Sequence, residues 1–240
     1  MKNQIILYFC GVNPKVIIVA PTNQVKEYCQ FRWIEQVLNL NYSNYSIYLS
    51  DNTLSDDFAN KIMSYNIKVG RVNPTNKSNS QYMAESHEQC RNYAIEQDAD
   101  YILHWEVDLF TDNKFIIQDL LFHNLSVVGC LYHIGQGAES YLCLIHKNKR
   151  ENENSISVYM NKSGTDILFV DGNVKDVFSC GLGCTLIHKS VFEKVKFRSD
   201  FKQTYHPDSC FAEDCYYLKI PTRVDTSILL KHENSRWLMY

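Results

Sequence analysis

Two carboxylates, Glu106 and Asp108, close the run Ala99-Asp100-Tyr101-Ile102-Leu103-His104-Trp105-Glu106-Val107-Asp108-Leu109-Phe110. Its first half is a short continuous apolar segment of the kind that needs cover on both faces, so it reads as a buried strand. In extended geometry residues two apart project to the same side, which would set the two acids against each other. A hard divalent cation carrying phosphates removes that repulsion, since Mg²⁺ is commonly held by one or two carboxylates plus substrate phosphates. The plainer alternative is a strand that ends in solvated acids. Position distinguishes the two, because ligands of an open α/β sheet bind beyond the carboxyl ends of its strands.

The elements needed to put the acids there are legible upstream. Lys15-Val16-Ile17-Ile18-Val19-Ala20 is a β-branched run closed by Pro21, a first buried strand followed by a Pro21-Thr22-Asn23 turn. From Val25 to Leu40 the apolar residues Phe31, Ile34, Val37, Leu38 and Leu40 recur near helical period. Tyr45 to Ser50 alternates as a second strand and meets the turn Asp51-Asn52-Thr53. A helix over 55–65, a short strand near Ile67-Lys68-Val69, a loop over 73–80 and a helix over 85–97 lead into the acidic strand. This alternation implies a largely parallel sheet, with the strand ends at Pro21, Asp51 and Glu106 opening on one crevice.

Beyond the acids the pattern turns to short strands separated by turn residues: 126–133, 141–145, 155–160 and 167–170, more like hairpins than crossovers. Two glycines, Gly181 and Gly183, interrupt a strand-like run over 177–187, which suggests a bend or close approach of backbone to a ligand. A helical turn over 190–196, a helix beginning at 211–218 with Glu213 and Asp214 in its first turn, and a strand over 224–230 complete the chain.

Composition narrows the class. The 240 residues include only 9 glycines and 5 prolines, with no linker, repeat or low-complexity tract, so a single domain is expected. An apolar fraction of 45% excludes a disordered chain. A net charge of −3 offers no long-range pull on a polyanion, and the basic residues from Lys189 to Lys202 are interrupted by acids. A nucleic-acid acceptor is therefore open but unsignalled. The N-terminus has too short an apolar core for a signal peptide, and no stretch reads as a membrane span, which points to the cytoplasm. Nine cysteines in that compartment do not form a disulfide framework. Cys180, Cys184, Cys210 and Cys215 lack the spacing of structural zinc sites and read as buried apolar side chains.

Taken together, Pro21-Thr22, Asp51, Arg91-Asn92, Glu106-Val107-Asp108, the stretch Gly181 to Glu193, Glu213-Asp214 and His232 resemble the GT-A glycosyltransferases, in particular family 2-like members. The likeness runs from Lys15 to His232. It implies one Rossmann-like α/β domain with a mostly parallel central sheet, a nucleotide-sugar-binding half over 15–110 and a hairpin-rich acceptor-binding half over 111–240. It further implies that Pro21, Thr22 and Asp51 touch the nucleotide base, and that Arg91, Asn92 and Glu106 belong to the donor site. Asp108 and His232 would hold the metal, Mn²⁺ or Mg²⁺. Two departures stand out: the first metal acid is Glu where the family usually has Asp, and Asn234-Ser235-Arg236-Trp237 matches only the end of the Gln-x-x-Arg-Trp of processive enzymes. The latter argues for addition of a single sugar.

The implied activity is metal-dependent transfer of one sugar from a nucleotide-diphosphate sugar to a hydroxyl of a glycan, lipid-linked or other acceptor. A metal stabilises the leaving diphosphate, and a carboxylate of raised pKa takes the acceptor proton. Asp214 is the candidate base, which would make the reaction inverting; the alternative is that Glu213 and Asp214 only favour a helix N-terminus, by about 0.3–1 kcal/mol. His232 has its own alternative as a cap on the last strand. Two rival classes stand beside the transferase. A nucleotidyltransferase would normally carry a glycine- and Lys/Arg-rich phosphate loop after the first strand, which Ala20-Pro21-Thr22-Asn23-Gln24 is not. A non-catalytic carbohydrate-binding protein would need neither metal acids nor a nucleotide crevice.

Overall fold

A computed structural model of the chain describes residues 13–134, 141–142, 170–199 and 206–233. Its first strand, β1 (Val16–Thr22), is buried along its whole length and paired in parallel with β2 (Tyr45–Asp51) on one side and β4 (Tyr101–Trp105) on the other. A strand made of Val, Ile and Ala has apolar side chains for both faces, and that is how it is used. Val16, Ile18 and Ala20 pack on one side of the sheet, Ile17 and Val19 on the other.

The first face is covered by α1 (Glu27–Leu38), α2 (Asp56–Met63) and α4 (Ile116–Phe122), through Trp33, Phe58, Ile62 and Leu120. The second is covered by α3 (Asn79–Glu96), α5 (Lys189–Phe192) and α6 (Pro207–Tyr217), through Cys90, Ala94, Phe192, Phe211 and Cys215. The result is the three-layer arrangement of an α/β domain.

With β3 (Lys68–Arg71), β5 (Leu109–Phe110), β6 (Val127–Ile134), β9 (Cys184–His188) and β10 (Thr222–His232), the strand order is β3-β2-β1-β4-β9-β6-β10-β5. β7 (Tyr141–Leu142) pairs with β6, and β8 (Val174–Val177) with β10. β9 runs antiparallel between β4 and β6, so β3, β2, β1, β4, β6 and β10 all point the same way. The expected mostly parallel, Rossmann-like sheet is thus present. The order reverses between β1 and β4: β2 and β3 go to one side of β1 and β4 to the other. Such a reversal opens a crevice at the carboxyl strand ends.

Several boundaries differ from the sequence expectation. β1 continues through Pro21 to Thr22, and Asn23 alone caps the following short 3-10 turn Gln24–Lys26 by accepting from the Val25 N–H. α3 begins at Asn79 rather than 85, because Ser78 and Gln81 form a capping box inside what reads as loop. The glycine-containing run is split: Gly181 and Gly183 lie in the connection between β8 and β9. Glu213 and Asp214 fall beyond the first turn of α6, which begins at Pro207 and carries Asp208 as its first-turn acid. The expected strand over 155–160, most of those over 141–145 and 167–170, and residues 234–237 lie outside the described residues. Among the described residues, no helix is long and apolar enough to cross a membrane.

Candidate active site

The two acids converge by a turn, not by strand alternation. β4 ends at Trp105, and the Leu109 N–H donates to the Glu106 carbonyl at 3.1 Å, closing a turn over Glu106-Val107-Asp108. Trp105 builds this turn from below. Its indole N–H donates to the Leu109 carbonyl at 3.0 Å, and its ring meets Trp33 of α1 edge to face at 6.4 Å. Two backbone bonds fasten the turn to the rest of the sheet: Glu106 N–H to the Gly183 carbonyl at 2.7 Å, and Glu233 N–H to the Asp108 carbonyl at 2.8 Å.

The second bond brings the end of β10 to the acids. Lys231 and His232 pair antiparallel with Phe110 and Leu109, so His232 belongs to the strand rather than to a loop after it. One ligand atom from each of Glu106, Asp108 and His232 lies within 4.8 Å of the others. His232 Nε2 is 3.3 Å from Asp108 Oδ2. Its Nδ1 sits 2.7 Å from the carbonyl of His133, which accepts, so Nδ1 carries the hydrogen.

Glycines at 181 and 183 are explained by Tyr132. A Cβ at Gly183 would stand 2.5 Å from the tyrosine ring carbon Cζ, and one at Gly181 only 2.0 Å from its hydroxyl. The close approach is thus between backbone and a tyrosine whose ring also meets His232 edge-on at 5.8 Å.

Electrostatics set the three groups apart. Burial, reinforced by the Asp108 charge, pushes the Glu106 carboxyl up to about 7. Burial acts on Asp108 the same way, but the hydrogen bond with His232 and the charge of Lys26 outweigh it and lower its pKa. The imidazole of His232 is raised, burial being overcome by its bond to Asp108. Asp108 is almost wholly buried, with Oδ2 shared by Lys26 and His232 and Oδ1 without a hydrogen-bond partner. An orphaned, buried carboxylate oxygen is rare without a reason. Two carboxylates and an imidazole around it are a donor set that suits Mn²⁺, and Mg²⁺ less well.

The remaining sequence candidates are distributed around this centre. Pro21 lines the same small cavity as Lys26, Glu106 and Asp108. Thr22 is buried and donates its hydroxyl to Gln30 at 2.5 Å. Asp51, in register with Thr22, is fully buried; it accepts from Thr53 N–H and hydroxyl at 3.0 and 2.6 Å and pairs with Arg71. Asn92 lines a cleft of about 660 Å³ with Tyr48, Arg71, Gln89 and Tyr93. Arg91 instead points inward as a brace between α3 and the end of α5: it donates to the Phe192 and Glu193 carbonyls and, at 2.6 Å, to Glu88.

Asp214 has both oxygens on the Arg198 guanidinium, at 2.8 and 2.9 Å. Asp208, six residues earlier, is near enough to Glu106 to act on its carboxyl, and burial raises its own pKa.

Three participants escape the sequence reading: Lys26, Tyr132 and Asp208. Asp208 had a signal in the preceding Pro207, since proline favours the first turn of a helix. Lys26 had one in following the first strand's carboxyl end; Tyr132 had none.

No protein-family model and no curated sequence matches the chain. Its fold is shared with solved structures. The mannosyltransferase PcManGT from Pyrobaculum calidifontis, in complex with GDP-Man and Mn²⁺, superposes with a TM-score of 0.61 at 9% identity over 92% of this chain and 57% of its own. S. aureus TarS 1-349 in complex with UDP-GlcNAc gives 0.54 at 13% identity, covering 92% of this chain and 59% of that one. A197 from STIV gives 0.50 at 14% identity, covering 92% and 86%. This chain thus spans little more than half the length of the first two.

Proposed function

We propose that the protein is a metal-dependent glycosyltransferase that moves one sugar from a nucleotide-diphosphate sugar to an acceptor hydroxyl with inversion, as one domain whose residues 15–110 serve the donor and 111–240 the acceptor. The observation that carries this reading is the Glu106, Asp108 and His232 cluster, with its orphaned Asp108 oxygen, at the reversal of strand order between β1 and β4. Two of the proteins sharing the fold hold nucleotide sugars, and one of them Mn²⁺, which supports the same reading.

Asp108 and His232 would hold the ion, with Glu106 as the third member. Bound there, it would supply Lewis-acid stabilisation of the leaving diphosphate. A cation there would offset the repulsion between the Glu106 and Asp108 carboxylates that, with burial, raises the Glu106 pKa. Pro21, Thr22 and Asp51 would serve the nucleoside side, Pro21 from the cavity beside the acids and the buried Thr22 and Asp51 by shaping the paired strand ends, and Asn92 would serve it from the cleft that it lines. Arg91 would act on the donor through the position of α3, since its donors are spent on α5 and Glu88.

The acceptor's proton goes to a carboxylate of α6. Asp208 is favoured, since its charge acts on the Glu106 carboxyl and burial makes it more basic. For Asp214 to accept a proton it would first have to leave Arg198. A base on the acceptor side corresponds to inversion.

Neither rival class accounts for the cluster as well. The turn after β1 holds no glycine-rich phosphate loop, and a carbohydrate-binding module has no use for a buried cation site. Incubation with a panel of nucleotide sugars and simple glycan acceptors, with Mn²⁺ or with EDTA, tests the reading. Mn²⁺-dependent release of nucleoside diphosphate from at least one donor is expected. Pyrophosphate release from a nucleoside triphosphate would favour the nucleotidyltransferase.

A further inference from the structure

Lys26 is the third residue of the 3-10 turn Gln24–Lys26 that follows β1, held there by its N–H bond to the Asn23 carbonyl at 2.8 Å. From that turn its side chain crosses the strand-order reversal and pairs with Asp108 Oδ2, the oxygen that also faces His232. The two ends of the pair differ in access: the lysine side chain is 34% exposed and that of Asp108 only 1%. Solvent therefore reaches not the aspartate of this pair but the lysine. Below it lies a cavity of about 80 Å³ lined by Pro21, Lys26, Met83, Glu106, Val107 and Asp108, room for an ion and its nearest ligands but not for a diphosphate.

Charge balance gives the lysine a second task. Two carboxylates and a nucleoside diphosphate together carry more negative charge than one divalent ion neutralises, and a buried excess of one sign is costly. Among the described residues, Lys26 is the lysine or arginine whose ion pair reaches the cluster.

We propose that Lys26 is a donor-binding residue that shares Asp108 with the metal: it competes with the ion for that carboxylate and, once the ion is bound, turns its ammonium to the diphosphate of the donor. This rests on the reading of Glu106, Asp108 and His232 as a cation site. Lysine suits the task because its ammonium is a compact charge on a flexible stem, able to change partners over a few ångströms. Ion and ammonium are like charges on one carboxylate, so removing one strengthens the hold on the other. The same lysine then adds an attraction for phosphate that the ion alone does not supply.

The test is calorimetric titration of the intact chain, first with Mn²⁺ alone and then with UDP and GDP at saturating Mn²⁺, for the parent protein, Lys26→Met and Asp108→Asn. Lys26→Gln, neutral but still able to donate a hydrogen bond to Asp108, takes the place of Lys26→Met if the latter does not fold. The neutral variant should bind Mn²⁺ about tenfold more tightly and the better nucleotide about tenfold more weakly. If either affinity equals that of the parent while Asp108→Asn loses Mn²⁺, the Lys26 proposal is overturned and the cation site stands. If Asp108→Asn binds Mn²⁺ like the parent, or neither the parent nor the neutral variant binds it, the cation site itself is overturned and the role of Lys26 with it.

Discussion

His232 turns Nε2 toward Asp108 Oδ2 at 3.3 Å while its Nδ1–H is committed to the carbonyl of His133 at 2.7 Å. A neutral imidazole fixed in this tautomer points a lone pair at a carboxylate, which is repulsive until a cation lies between them. A proton on Nε2 is one such cation, and this is why the histidine is raised above its ordinary value. A metal ion is the other, and a backbone acceptor on the far nitrogen is the usual way a ligating histidine is oriented.

Proton and metal should therefore compete at His232. Because the pKa is raised, the imidazole takes up its proton at a higher pH than a free histidine, so Mn²⁺ affinity should already decline with falling pH above 6.5. Replacement by alanine removes both ligand and competitor. Mn²⁺ titrations of His232→Ala at several pH values should show weaker binding, by about 10- to 100-fold, with a flatter pH dependence. Equal half-saturation in variant and parent would assign His232 to capping the strand.

A second histidine pair bears on stability. His87 Nδ1 and His104 Nε2 lie 2.7 Å apart in the core, and His104 Nδ1 donates to the Leu182 carbonyl at 2.6 Å. That leaves His104 Nε2 as acceptor, so a proton added there breaks the pair. Burial lowers His104 to about 4 and, with the charge of His104, holds His87 well down too. An unfolded histidine takes up its proton near 6.5, so folding stability is complete above that pH and is lost as pH falls from about 6.5 toward 4. For His104 alone the whole loss is about 3 kcal/mol, of which about 2 kcal/mol falls between pH 7 and pH 5, on the order of 5 °C in Tm for a chain of this size. Thermal unfolding at pH 7 and pH 5 reads it. His104→Asn, which can still donate to Leu182, should show a smaller difference between the two; an unchanged difference would place the acid sensitivity elsewhere.

The α6 acids separate in kinetics. Asp208→Asn should lower turnover about 10²- to 10⁴-fold with donor affinity little changed, as expected for loss of a base that acts on the acceptor. Asp214→Asn, which loosens Arg198, should cost mainly stability. Reversal of the two effects would return the base to Asp214.

The first half of the fold was legible because its signals are local. A β-branched run closed by Pro21, an alternating run that meets Asp51 and an apolar period of helical spacing read directly as strand and helix, and from them the parallel sheet and its crevice followed. The start of α3 was hidden because a polar stretch, Ser78 to Gln81, encodes a capping box and a loop equally well. Glu106 and Asp108 were found for an incomplete reason: alternation along a strand would bring them together, yet a turn pinned by Trp105, Gly183 and Glu233 does so. His232 could be placed at a sheet end, but its register with Leu109 depends on pairing between segments far apart in sequence. Tyr132 matters only through what the fold brings to it, a kind of information no local pattern carries.

Under the proposed function, Glu106, Asp108 and His232 hold a divalent cation through which a nucleoside diphosphate binds. The most direct test is the affinity of the parent protein and of Asp108→Asn for UDP and GDP, each measured with Mn²⁺ and with EDTA. Binding of at least one nucleotide by the parent in Mn²⁺ is expected, lost in EDTA and lost in the variant, with the variant's circular dichroism unchanged. Nucleotide binding that is equal in Mn²⁺ and EDTA, or that survives Asp108→Asn, would contradict that function.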